Sequence, residues 1–245
     1  MGLFDAPADE LGRLLARMER DGRTRRLTPL DDAALGRWAC EAPQVVLRSE
    51  GGLELGSTST SSLSLVLWDA TTPEGDEVFL VGPDLPELED SAPFGQVVMA
   101  RVELDDDAHY ERYRQLREAV YRLRVRGVMT RVLPSRQSVW CRVHRDSLRG
   151  GLDARVLGGS LCAAVRALPF VRAARVVLVT AGDDALAELA PLADRVLEVA
   201  TALSKIHETA MDLDCDDCEL RAVCDSVQEL RRIHTRLAGE REAGE

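Results

Sequence analysis

The chain has 245 residues, enough for one large domain or two small ones; 45 % are hydrophobic and 30 % charged, a composition that supports a packed core. The 31 basic and 42 acidic residues leave a net charge of −11, and aromatics are only 4 %, which argues against a basic or base-stacking nucleic-acid surface. No apolar run reaches the ~20 residues of a membrane helix, and the acidic start Met1-Gly2-Leu3-Phe4-Asp5 lacks a secretion signal, so a cytoplasmic protein with no membrane partner is expected.

Leu11, Leu14, Leu15 and Met18 recur at helical spacing, predicting an amphipathic helix over 5–22 that Asp5 or Asp9 caps and Gly22 ends. Thr28-Pro29 opens a short second helix through Leu35 and Trp38, stopped before Pro43. From Gln44 the period changes. Val45–Leu47, Leu53–Leu55, Leu63–Trp68, Glu77–Val81 and Gln96–Val102 read as strands, with the Ser/Thr run 57–62 as a turn and the proline-rich stretch 82–94 as a loop.

Asp105-Asp106-Asp107 begins a helix to about Arg124, with acids at its favourable end and Tyr113, Leu116, Val120 and Leu123 on one face. On its surface His109 is expected. Val128–Leu133 and Val139–Val143 are short strands around Pro134, and the pair Gly158-Gly159 opens a helix to Leu168. Arg175–Thr180 reads as a buried strand. A long helix from about Asp184 to Thr209, bent near Pro191, and a last helix over Glu219–Leu237 complete the chain.

Strands cluster early and helices late, which favours α+β: a mixed sheet built from strands between Gln44 and Thr180, flanked by helices. The expected divisions are an N-terminal helical segment (1–43), an α+β core (44–182) and a helical segment carrying cysteines (183–245).

Cys215, Cys218 and Cys224 fall within ten residues, a spacing that lets thiolates wrap one metal ion or cluster corner. They are one ligand short of the usual four; His207, His234, a distant cysteine or a partner chain could complete the set, or nothing, leaving an open position where substrate could bind. Asp212, Asp214, Asp216, Asp217 and Glu219 surround them; such charge raises thiol pKa values and favours metal-bound over bare thiolates. The same acids could instead serve the N-terminus of the last helix, with free thiols. Cys40, Cys141 and Cys162 stand singly among apolar neighbours and read as core.

Only Lys205 is a lysine, a bias that fits GC-rich coding, but the arginines are also segregated. Between Arg112 and Arg155 twelve arginines meet three acids, a local +9 that leaves −20 for the rest. Guanidinium forks suit phosphates and carboxylates, so a phosphorylated cofactor such as CoA, or an acidic carrier protein, is expected near Trp140, Arg136 and Arg142, with the indole available for stacking. The alternative is that these arginines pair with the chain's own acids and that Trp140 is core. Gly158-Gly159-Ser160 before a helix is a weak anion-site signal.

The order of Gly52-Leu53-Glu54-Leu55-Gly56, Val81-Gly82-Pro83-Asp84-Leu85, Phe94-Gly95, Gln137-Ser138-Val139-Trp140 and Cys215-x-x-Cys218 resembles the middle domain of acetyl-CoA synthase, the β subunit of the carbon monoxide dehydrogenase/acetyl-CoA synthase complex. The likeness covers roughly residues 50 to 224. It implies that Cys215, Cys218 and Cys224 are the first three ligands of a [4Fe–4S] cluster, with Cys218 the bridging thiolate, zinc being the alternative occupant. It also implies that Trp140 lies in a CoA-binding region. The gap from Cys218 to Cys224 is shorter than in that family, and the chain ends before a fourth cluster cysteine and before the Cys-Gly-Cys that grips nickel, so nickel is not expected. The expectation is an iron–sulfur component of acyl, one-carbon or sulfur transfer on CoA or a carrier protein, with a partner subunit; the alternative is a non-catalytic scaffold or binding subunit with a structural metal.

Overall fold

A computed structural model of the chain describes residues 2–47, 52–57, 59–68, 75–103, 108–209 and 221–242. It is α+β, but the strands divide between two sheets rather than forming the single sheet expected. The first has five strands in the order β1 (Thr24–Leu27), β4 (Glu77–Val81), β9 (Val171–Val179), β6 (Phe94–Val102), β3 (Ser62–Trp68). It is mixed: β4 runs parallel to β9 and β3 to β6, while β1–β4 and β9–β6 are antiparallel.

The apolar runs of β3, β4, β6 and β9 are buried almost throughout, because helices cover both faces of this sheet. Directly paired residues share a face, so Val78, Val176, Val98 and Val66 form one row. On that row packs α5 (Ala154–Arg166), whose Gly158 lies against Val78. On the opposite face α6 (Asp183–Thr209) drops Leu186 onto Gly95.

The second sheet has the order β5 (Ser91–Ala92), β2 (Leu53–Leu55), β8 (Ser138–Val143), β7 (Val128–Leu133). Burial alternates along β8: Val139, Cys141 and Val143 point inward while Ser138, Trp140 and Arg142 point outward. Its tie to β2 needs Gly56, which has φ +64°; a Cβ there would lie 2.3 Å from the Val139 carbonyl oxygen.

Several boundaries differ from expectation for identifiable reasons. β1, with two arginines in four residues, has no apolar pattern; it is an edge strand held by β4 alone. Val45–Leu47 is not a strand: it joins neither sheet, and Val45 and Leu47 are exposed. The second helix, α2 (Asp32–Gly36), starts later than Thr28-Pro29, because the Asp31 carboxylate accepts from Ala34 N at 2.7 Å. α5 starts at Ala154, where Asp153 accepts from the Arg155 and Val156 amides at 2.9 and 3.1 Å. Gly158-Gly159 therefore lies buried in mid-helix as a packing device and is no helix-start anion site.

α1 (Asp5–Arg20) buries the predicted stripe, and α4 (Arg145–Arg149) is a single turn capped by His144. α3 is described from His109 to Tyr121, and the Asp105–Asp107 start lies outside the described residues. His109 is not on the surface: its side chain is 14 % exposed, packed by Trp68, with Nε2 3.6 Å from Glu229. α6 continues through Pro191 for 27 residues. The last helix is divided at Val227 into α7 (Arg221–Ser226) and α8 (Gln228–Glu242). Among the described residues no helix is long and apolar enough to cross a membrane.

Candidate functional site

Three places bear on function. The first is the cysteine segment. α6 delivers the chain to Thr209 and α7 receives it at Arg221, so Cys215 and Cys218 lie outside the described residues. Cys224 lies on α7, half-buried, and packs with Val223 against the main core. Among the described residues no three His, Cys, Asp or Glu side chains converge as a metal group. Of the histidines considered as extra ligands, His207 stacks flat on Tyr110, ring centroids 4.2 Å apart, and His234 sits half-buried on α8.

Cys141 and Cys162 belong to the core. Burial pushes the Cys141 thiol up to about 12 against a hydrogen bond with Thr130; burial and then the charge of Asp76 push Cys162 up to about 12. Neither forms a thiolate near neutral pH, so both lack the nucleophilic and metal-binding form.

The second place is the outer face of the four-stranded sheet. Trp140 is paired across strands with Arg131, whose guanidinium carbon is 5.9 Å from the indole centroid; that of Arg142 is 4.9 Å away. Arg142 is 16 % exposed and its fork is already engaged, donating to Glu54 Oε1 from Nε at 3.0 Å and from Nη2 at 2.5 Å, and to the Val46 carbonyl at 2.9 Å. Arg136 stands exposed in the turn Pro134–Arg136 that joins β7 to β8. The fold thus brings Trp140 and Arg142 together and keeps Arg136 at the rim.

Much of the arginine band is neutralised from within. At least six of its members form ion pairs: Arg114 and Arg122 with Glu118, Arg142 with Glu54, Arg145 with Asp90, Arg149 with Asp146, and Arg155 with Asp153. The segregation of charge in sequence is therefore partly cancelled in space, because Glu54 of β2 and Asp90, just before β5, reach the band.

The third place is a groove of about 390 Å³ between α3 and α6, within the usual range of small-ligand pockets. Tyr110, Arg114, Arg117 and Tyr121 recur at helical spacing and make one wall; Ala200 and Ser204 of α6 make the other. Arg117 lies between the rings of Tyr113 and Tyr121, 5.6 and 5.4 Å from their centroids, and its Nε donates to the Tyr121 hydroxyl at 3.0 Å. Hydrogen bonds from Arg114 and Gln115 hold the neighbouring Glu111 carboxyl down to about 2, so it stays ionised. Tyr110 also borders a smaller cavity that His207 lines.

The reading of the sequence placed Tyr113 on a core face but did not single out this groove. A signal was there. All three tyrosines of the chain fall between positions 110 and 121, inside or beside the arginine band. Compared with known family models and with curated proteins, the chain matches none.

Proposed function

We propose that the chain is a metal-binding protein in which Cys215, Cys218 and Cys224 hold one [4Fe–4S] cluster, with zinc as the alternative occupant. On this reading it is a component, similar to acetyl-CoA synthase, that handles an acyl, one-carbon or sulfur group on CoA or a carrier protein. The observation that carries the proposal is the spacing of the three thiols, Cys-x2-Cys-x5-Cys, in a setting rich in acids.

Of the three thiols, Cys224 alone lies among the described residues. Cys224 is half-buried on a six-residue helix anchored to the core, a position that limits the motion of one ligand without hiding it. The other cysteines described as buried, Cys141 and Cys162, are held as neutral thiols, so they do not compete for the metal. A bound cluster would supply electron-transfer or Lewis-acid chemistry; the chain's own contribution is three soft thiolate donors and an acidic surround.

A second reading, a binding or scaffolding subunit with a structural metal, is favoured by one observation. Arg142 spends its fork on Glu54 and Val46 and shares the indole of Trp140, which leaves less of that face for CoA phosphates and adenine.

The test is iron, acid-labile sulfide and zinc analysis of protein purified without oxygen. Wild type is expected to carry metal, and Cys218→Ser to lose most of it. Wild type with neither iron nor zinc ends the proposal. Titration of CoA or an acyl carrier protein, followed by tryptophan emission at low salt, separates the two readings, since Trp140 has only Trp38 and Trp68 as competitors.

A further inference from the structure

The groove between α3 and α6 contains an arginine, Arg117, that meets aromatic rings but, among the described residues, no carboxylate. Among the described residues, every other arginine lining it has a carboxylate: Arg114 pairs with Glu111 at 2.8 Å and Glu118 at 3.8 Å, and Arg122 pairs with Glu118 at 2.5 Å. Arg117 has none; its one hydrogen bond goes from Nε to the Tyr121 hydroxyl. A guanidinium carries five N–H donors, so the four on its two Nη atoms remain. These Nη atoms are not shut off from solvent, so they face the open groove, where an anion can replace the water that solvates them.

The surroundings narrow the choice of anion. Tyr113 four residues before and Tyr121 four residues after put aromatic rings beside the guanidinium, and the Nε bond to Tyr121 leaves the Nη atoms for a ligand. Three arginines line the groove against Glu118, with Glu111 beside it on Arg114, which leaves one positive charge over in a chain of net −11. Tyrosine rings and Ala200 supply apolar wall.

We propose that this groove binds a small organic oxyanion, a carboxylate or phosphate ester on an apolar body, through a two-pronged grip by the Nη atoms of Arg117 with the body against Tyr110 and Tyr121. The site stands independently of the metal, because none of its residues is a cysteine ligand.

Calorimetric titration of the full chain with benzoate, phenyl phosphate and neutral benzyl alcohol tests it, with metal content assayed separately. At least one anion is expected to bind more tightly than benzyl alcohol, and which one does so assigns the head group. Arg117→Gln should weaken that anion at least about tenfold, the loss of a charge-assisted bidentate contact. Arg117→Lys, which keeps the charge without the fork, should weaken it as well; unchanged binding by the lysine variant would overturn the two-pronged grip. Arg149→Gln, exposed on α4 and part of neither candidate site, should bind as wild type does and so controls for general charge loss. No binding of either anion at millimolar concentration, equal binding of benzyl alcohol, or wild-type affinity in Arg117→Gln overturns the site.

Discussion

Gly158→Ala reverses the usual sign of a glycine replacement. In a helix interior alanine is normally favoured over glycine by about 1 kcal/mol. Here a Cβ on residue 158 would lie 2.5 Å from Val78 Cγ1 and 3.2 Å from its Cγ2. Ordinary carbon contacts are ~3.5–4.0 Å, so the new atom falls about 1 Å inside the repulsive wall. Val78 has little room to yield: it is fully buried, its strand is held by β1 on one side and β9 on the other, and valine is stiff at χ1. Overpacking of this kind costs about 1–3 kcal/mol, which outweighs the helix gain. The net expectation is a loss of up to about 2 kcal/mol, or up to roughly 6 °C in Tm for a chain of this size.

Urea and thermal unfolding measure it directly. Val78→Ala removes both clashing methyl groups, so in that background Gly158→Ala should become neutral or stabilising, a coupling of about 1–3 kcal/mol between the sites. Gly159→Ala is the internal control. Its Cβ meets the flexible end of Leu35 at 3.1 Å, on the five-residue α2, and stability should hold. A stabilised Gly158→Ala, or strict additivity with Val78→Ala, would refute the packing of α5 on β4.

Two further outcomes are expected. Tyr113→Phe removes the hydroxyl that donates to the Val66 carbonyl at 3.0 Å in a buried setting, and should cost about 1–2 kcal/mol in urea unfolding; wild-type stability would mean that the carbonyl is satisfied another way. Native protein treated with iodoacetamide at pH 8 should leave Cys141 and Cys162 unmodified by mass spectrometry, since burial pushes both thiols up to about 12, and labelling at the rate of an open thiol would contradict their placement.

Strands with their own hydrophobic signature were legible in the sequence. Glu77–Val81 and Val128–Leu133 have the predicted limits, and Leu63–Trp68 gains one residue, because runs of valine and leucine bounded by turn residues leave few other options. The stripe of α1 was equally plain. Helix starts were missed where a single carboxylate decides them: Asp31 and Asp153 fix α2 and α5 more firmly than the Thr-Pro and Gly-Gly pairs that caught the eye.

The candidate sites divide the same way. Spacing alone brings Cys215, Cys218 and Cys224 close along the chain, and alternation alone places Trp140 and Arg142 on one face of β8. The sequence by itself therefore determined the α+β class, most strands and the local clusters, since these depend on contacts within a few residues. Tertiary structure alone decided that the strands form two sheets, that the arginine-rich Thr24–Leu27 is an edge strand, that Glu54 takes up Arg142, and that Arg117 is left without a carboxylate. Those outcomes turn on partners tens of residues away, and a one-dimensional pattern records a side chain's character but not the charge that meets it.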